Sequence, residues 1–179
     1  MIQNVTAEAE AQQWTLDHAI AGDEVAFARI VAAHHHDMAR IAFFVCGDLH
    51  IAEEAEQSAW AVAYRRLEEL REPDRLRPWL MSIAANEARQ MARSRRRRSV
   101  REIVVAGSTR PHEVDQAAIL DLAAAVGRLD PKDRAIVGLR FLGGFESAEI
   151  GRLMGMSASG VRVRRHRLLE RLRKDLDHD

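Results

Sequence analysis

Apolar residues recur along this 179-residue chain at intervals of three and four, the period of an amphipathic helix. Phe27, Ile30, Val31, His34, Met38, Ile41 and Val45 fall on one helical stripe. Asp23 can cap that helix at its start, and Gly47 suits a left-handed stop. Ahead of it, Trp14 to Ala21 predicts a short helix ending at Gly22. Asp48 can open a third helix, "HIAEEAEQSAWAVAYRRLEEL", with Ala55, Ala59, Val62 and Leu67 turned to the core. "REPDRLRP" then breaks the pattern with two prolines. Pro78 fits the first turn of a fourth helix through Trp79, Leu80, Ile83, Ala84 and Met91.

From Ser99 to Val114 the pattern fades into a stretch containing Gly107, Ser108, Thr109 and Pro111, which reads as a linker. A second helical block begins near Asp115. In "LDPKDRAIVGLRFLGG", Asp130 is the cap, Pro131 the first turn, and Gly143–Gly144 the stop. "FESAEIGRLMGM" predicts a short helix with Ile150, Leu153 and Met154 inward. Gly155 then makes a tight turn, and Ser157 or Ser159 starts the last helix, a helix-turn-helix pattern. The expectation is an all-α fold of two small helical domains, residues 15–98 and 116–177, joined by a linker over 99–115.

Composition supports helix, with Ala, Arg, Glu and Leu abundant and β-branched runs sparse. The single cysteine, Cys46, excludes an internal disulfide framework, fits a reducing compartment, and reads as a small buried residue. No apolar run reaches membrane-spanning length and the N-terminus lacks a signal-peptide pattern, so a cytoplasmic chain without membrane insertion is expected.

The zero net charge hides an asymmetry. Residues 1–92 carry 15 acids and 8 bases, whereas residues 93–179 carry 12 acids and 19 bases. The acidic half suits a basic protein partner and the basic half suits nucleic acid. In the last helix, seven of the thirteen residues from Arg162 to Lys174 are cationic. Val161, Leu168, Leu169, Leu172 and Leu176 form its apolar sector, into which Arg165 also projects, while Arg162, Arg164 and Arg167 lie outside. A second cluster, Arg93, Arg95, Arg96, Arg97, Arg98 and Arg101, exceeds what a helix C-terminal dipole needs and points to phosphate.

Signs of chemistry are weak. Three adjacent histidines, His34–His36, point about 100° apart on a helix and cannot share one ion as an i,i+4 pair does. His34 is better placed at the edge of the core. Glu53, Glu54 and Glu56 have no matching ligand cluster elsewhere and suit a helix N-terminal turn or a docking patch. No catalytic residue, metal or cofactor is expected.

Two long stretches resemble a known family. "AIAGDEVAFARIVAAHHHDMARIAFFVCGDLHIAEEAEQSAWAVAYRRL" with "RLRPWLMSIAANEARQMARSRRRR" is similar to the second conserved region of bacterial extracytoplasmic-function sigma factors. "AVGRLDPKDRAIVGLRFLGGFESAEIGRLMGMSASGVRVRRHRLLERLRK" resembles their fourth region, in the family's order and spacing. The resemblance implies a factor that binds core RNA polymerase and directs it to promoter DNA, held in check by an anti-sigma factor. The positions matching the polymerase-contact surface are Glu53, Glu54, Gln57 and Arg65. For the −10 element they are the 69–77 loop with Asn86, Arg89, Arg93, Arg96 and Arg97. For the −35 element they are Ser159, Arg162, Val163, Arg164 and Arg167.

Val163 stands where the family often has serine, Arg165 where it is usually apolar, and Ser58 where an acid is common. An exposed Val163 could touch a thymine methyl. Without the resemblance, the same residues also fit a regulator whose helix-turn-helix is its sole DNA reader, with residues 1–98 as a sensor or dimerisation module. A helical metal-dependent hydrolase using the histidines with Glu53 and Glu54 is the third alternative.

Overall fold

A computed structural model describes residues 11, 13–70, 72–99 and 128–176, and helices fill most of them. The expected linker beyond residue 99 and the opening of the second block, up to residue 127, lie outside the described residues. Helix α1 runs over residues 13–20, buries Leu16 and Ala19, and ends in a turn at Gly22, whose φ is 92°. Helix α2, Glu24–Cys46, has both predicted caps. The Asp23 carboxylate accepts from the Val25 and Ala26 amides, and Gly47, at φ 76°, donates to the Phe43 carbonyl.

Asp48 caps α3, Leu49–Arg66, by accepting from the Ile51 amide. Two single 3-10 turns, Leu67–Glu69 and Pro73–Arg75, carry the chain to α4, Leu76–Ser99. The helix begins two residues before Pro78, because a proline within the first turn loses no intrahelical bond. Helices α2, α3 and α4 pack together around Met38, Ile41, Ala59, Leu80, Met81 and Ala84. A second patch of alanines, Ala42, Ala52, Ala55 and Ala88, lets the three backbones approach closely. Val62 and Met91, expected inside, are half-buried.

In the second half, Asp130 caps α5, Pro131–Val137, by accepting from the Lys132 amide. The sequence pattern predicts an unbroken helix to Gly143. Instead the helix widens to a π-turn over Gly138–Leu142, closed by the Gly143 amide on the Gly138 carbonyl at 3.1 Å. The widening falls where the bare Cα of Gly138 abuts the Phe44 side chain on α2. Helix α6, Ser147–Met154, starts with a reciprocal capping box between Glu146 and Glu149. Gly155, at φ 66°, turns the chain into α7, Ala158–Leu176.

The two halves share one core. Ile136, Leu139, Phe145, Ile150 and Val161 belong to the same apolar cluster as Met38, Ile41 and Leu80. Phe44 lies off the predicted α2 stripe yet is buried, because the second half covers it. Burying one such ring contributes about 1.5–3 kcal/mol. Two arginines hydrogen-bond across the junction. Arg134 donates to the Phe44 carbonyl at 3.1 Å, and Arg77 donates to Asp37 and to the Leu142 carbonyl, both at 2.8 Å. Among the described residues, no buried side-chain nitrogen or oxygen lacks a partner.

Candidate nucleic-acid interface

The helix-turn-helix depends on backbone proximity as much as on side chains. A Cβ on Gly151 would stand 2.7 Å from the Met156 carbonyl, so only glycine lets the turn fold back this tightly over α6. Ser157, one of the two predicted starting serines, caps α7 by accepting from the Gly160 amide at 3.0 Å. Val161 and Leu168 are buried and anchor α7 on its inner side. Leu169, predicted inside the apolar sector, is instead exposed, because α5 and α6 cover a narrower strip than the helical projection allows.

Ser159, Arg162, Val163 and Arg167 face outward from α7. Val163 is half-exposed, an apolar contact point between cations. Arg164 differs from the others. Its Nε donates to Asp133 at 2.5 Å and its Nη2 to Asp130, while Arg171 Nη2 reaches the other Asp133 oxygen at 2.6 Å. These groups line an open cleft of about 910 Å³ beside the outward face. Partial burial opposes it, but the Lys132 amide, the Arg164 charge and the Asp133 amide together hold the Asp130 carboxyl below the usual carboxylate range.

Arg165 is half-buried and turned toward the start of α6. There the Arg140 hydrogen bond and charge hold the Glu146 carboxyl low, with Arg165 adding a weaker pull. The charge of Arg165 thus has an acid to face, and the long stem can lie along the apolar sector.

On α4, Asn86, Arg93, Arg96 and Arg97 are exposed. Asn86, Arg89, Arg93 and Arg97 repeat at three and four, so they share one stripe. Arg89 is half-buried, with its guanidinium beside the Gly155 turn of the other half. Burial, and after it the charge of Arg93, lowers its pKa. Arg95 pairs with Asp48 at 3.3 Å. In the 69–77 loop, Arg66 binds Glu69 at 2.6 Å and Arg75 binds Glu72 at 3.1 Å.

On α3, Glu53, Glu54, Gln57 and Arg65 are all exposed. Ser58 donates to Glu87 on α4 at 2.8 Å, which gives a physical reason for a hydroxyl where an acid would face Glu87 with like charge. His34 is half-buried, as its place on the stripe predicts, and His36 contacts His35 at 2.6 Å. Among the described residues, no three His, Cys, Asp or Glu side chains gather as a metal would need, and no helix is long and apolar enough to cross a membrane. Asp133 and Arg134 read in the sequence only as charges on a polar face. Arg77, the last residue of the 69–77 loop matched to the −10 element, lies instead in the first turn of α4, bonded to Asp37 and the Leu142 carbonyl.

Residues 30–98 match the family model of sigma-70 region 2, and residues 119–172 match that of sigma-70 region 4. The RNA polymerase sigma factor CarQ of Myxococcus xanthus is 33% identical over 128 residues, covering 69% of this chain and 74% of CarQ. The chain belongs to the sigma-70 family. Within the family it groups with relatives of the extracytoplasmic-function class. The probable RNA polymerase sigma factor RfaY of Xanthomonas campestris is 32% identical over 175 residues, or 90% of this sigma factor. This chain spans 43% of the length of RfaY. Among solved structures, the sigma factor RpoE of Bartonella quintana, in complex with the anti-sigma factor NepR, aligns at a TM-score of 0.68 with 20% identity. That alignment covers 86% of this chain and 98% of RpoE, and it shows the fold.

Proposed function

We propose that this sigma factor binds core RNA polymerase and directs it to a subset of promoters. Residues 15–98 form the unit for polymerase and −10 binding, 99–115 the linker, and 116–177 the unit for −35 binding. In this reading α3 presents Glu53, Glu54, Gln57 and Arg65 to the polymerase. The α4 stripe of Asn86, Arg89, Arg93 and Arg97, with Arg96 beside it, holds the −10 strand, and exposed arginines along a helix suit a single-stranded backbone. On α7, Ser159, Arg162, Val163 and Arg167 enter the major groove of the −35 element, where arginine reads guanine or clamps phosphate. The observation that carries the reading is the outward face of α7. It is cationic, rigidly capped, and set across a glycine turn from a short supporting helix.

An anti-sigma partner belongs to the same proposal. A groove of about 320 Å³ lies where the two halves meet, with Leu70, Pro78, Trp79, Phe145 and Leu153 in its lining and Arg75 and Arg152 among its charged residues. Its chemistry suits an amphipathic segment carrying acids. A cytoplasmic location follows from the proposed partners. The deciding experiment is transcription in vitro with core polymerase and the purified chain, followed by mapping of start sites. Initiation at a shared promoter motif supports the proposal; a chain that neither joins core polymerase on gel filtration nor changes its start sites overturns it.

A further inference from the structure

The acids facing α7 do more than neutralise it. Asp133 sits in the first turn of α5 with its side chain only 4% exposed, and it accepts from two arginines of α7. Arg164 and Arg171 are seven residues apart, two helical turns, so they leave α7 in nearly the same direction. A rigid carboxylate held by two guanidinium groups at that spacing resists rotation of α7 about its own axis. Asp130 engages Arg164 as well, so two acids and two arginines form a locally neutral cluster. By contrast, Arg162 and Arg167 form no ion pair with any described residue.

We infer that Asp133 is a positioning residue for −35 readout. It draws Arg164 off the DNA face and sets the angle at which Ser159, Arg162, Val163 and Arg167 meet the groove. The inference rests on the proposed −35 role of α7, and it revises the sequence-based assignment of Arg164 from reader to anchor. The physical reason is competition. If the Arg164 guanidinium swung out to a phosphate, one oxygen of the buried Asp133 carboxylate and the Asp130 carboxylate would lose their partner. That would leave Arg171 alone on Asp133, and an incompletely paired buried charge is costly.

The test joins two measurements on the full chain. The first is affinity for a random-sequence duplex of about 25 base pairs as a function of salt. Each phosphate contact adds about 0.9 to the slope of log affinity against log salt concentration. Asp133→Asn frees Arg171 and leaves Arg164 held by Asp130 alone, so the slope steepens by about 1 to 2, and non-specific affinity rises. Adding Arg164→Gln to that variant takes back about one contact. Holoenzyme selection from a random DNA pool then shows weaker −35 preference for Asp133→Asn than for the unaltered chain. A carboxylate that only supports folding gives the opposite sign, a loss of affinity together with a loss of stability.

The second measurement is a thermal double-mutant cycle of Asp133→Asn with Arg164→Gln, which needs no DNA. Non-additive Tm shifts support the clamp; additive shifts overturn it. An unchanged salt slope in Asp133→Asn overturns the positioning role. If the unaltered chain binds no duplex and its holoenzyme selects no −35 motif, the −35 reading itself fails, a result distinct from a failed cycle.

Discussion

The guanidinium of Arg134 occupies the space that a side chain on Gly47 would fill. Gly47 ends α2 in the left-handed region, and Arg134 reaches over it to donate to the Phe44 carbonyl at the last turn of that helix. A cation at a helix C-terminus is favoured by the unpaired carbonyls there. The glycine therefore serves two purposes, a backbone turn and a socket for a buried charge from the other half of the chain.

Replacing Gly47 by alanine separates those purposes when compared with Gly144. Both have positive φ, but nothing lies within 4 Å of a Cβ at Gly144. Gly144→Ala is expected to cost only the backbone strain, about 1 kcal/mol. Gly47→Ala adds displacement of Arg134 and is expected to cost about 2–4 kcal/mol. Urea denaturation of the two variants checks this, and equal losses would show that Arg134 is free to move aside.

Acid should loosen the junction through His34. Burial first, then the charge of Arg77, lowers the imidazole pKa below its ordinary 6.5, with Asp37 opposing. The unfolded chain then binds this proton at higher pH than the folded one. The stability involved is complete above about pH 6.5 and is lost as the pH falls through that value toward the lower folded one. His34→Gln is expected to show a smaller fall in Tm between about pH 7 and pH 5 than the unaltered chain. Parallel Tm curves for the two proteins would remove His34 from the account.

Cys46 should be sluggish toward alkylating reagents. Burial pushes its thiol pKa up to about 11, and Sγ donates to the Asp48 carbonyl at 3.2 Å. Relative to an ordinary thiol this leaves roughly a hundred-fold less thiolate at neutral pH. Iodoacetamide labelling followed by mass spectrometry should proceed slowly in buffer and quickly in urea. Rapid labelling of the folded chain would contradict the burial.

On the outward face of α7, Arg162→Ala or Arg167→Ala is expected to weaken −35-dependent initiation by about 1–3 kcal/mol if the residue reads a base. A residue that instead clamps phosphate lowers the salt slope by about 1 for every sequence alike. Transcription from promoters altered one base at a time distinguishes the two. Neither effect at either residue would mean that another face of α7 meets DNA.

Much of this architecture was legible in one dimension because its signals are local. Asp23, Gly47, Asp48, Asp130, Gly155 and Ser157 act on backbone groups within a few residues, so caps and turns follow from spacing and side-chain chemistry alone. The stripe through Ile30, Met38 and Ile41 follows from the 3.6-residue period. The outward cations of α7 and α4 were visible too, because an excess of one sign needs no partner to be noticed.

Tertiary structure decided what those charges do. Periodicity says which side of a helix is apolar; it does not say how much of it a partner covers, and so Leu169 is exposed while Phe44 is buried. Nor does it pair residues distant in sequence. Arg164 with Asp133, Arg134 with Phe44 and Arg77 with Leu142 are 31, 90 and 65 positions apart. In the sequence Arg164 falls among the −35 positions and Arg77 closes the 69–77 loop, while Arg134 reads only as one more charge on a polar face. Only the packing of α5 and its π-turn against α2, and of α7 against α5, turns these three into fasteners and leaves Arg162 and Arg167 facing outward. A charge is assigned by what lies within a few ångströms of it, and that distance is set by the fold.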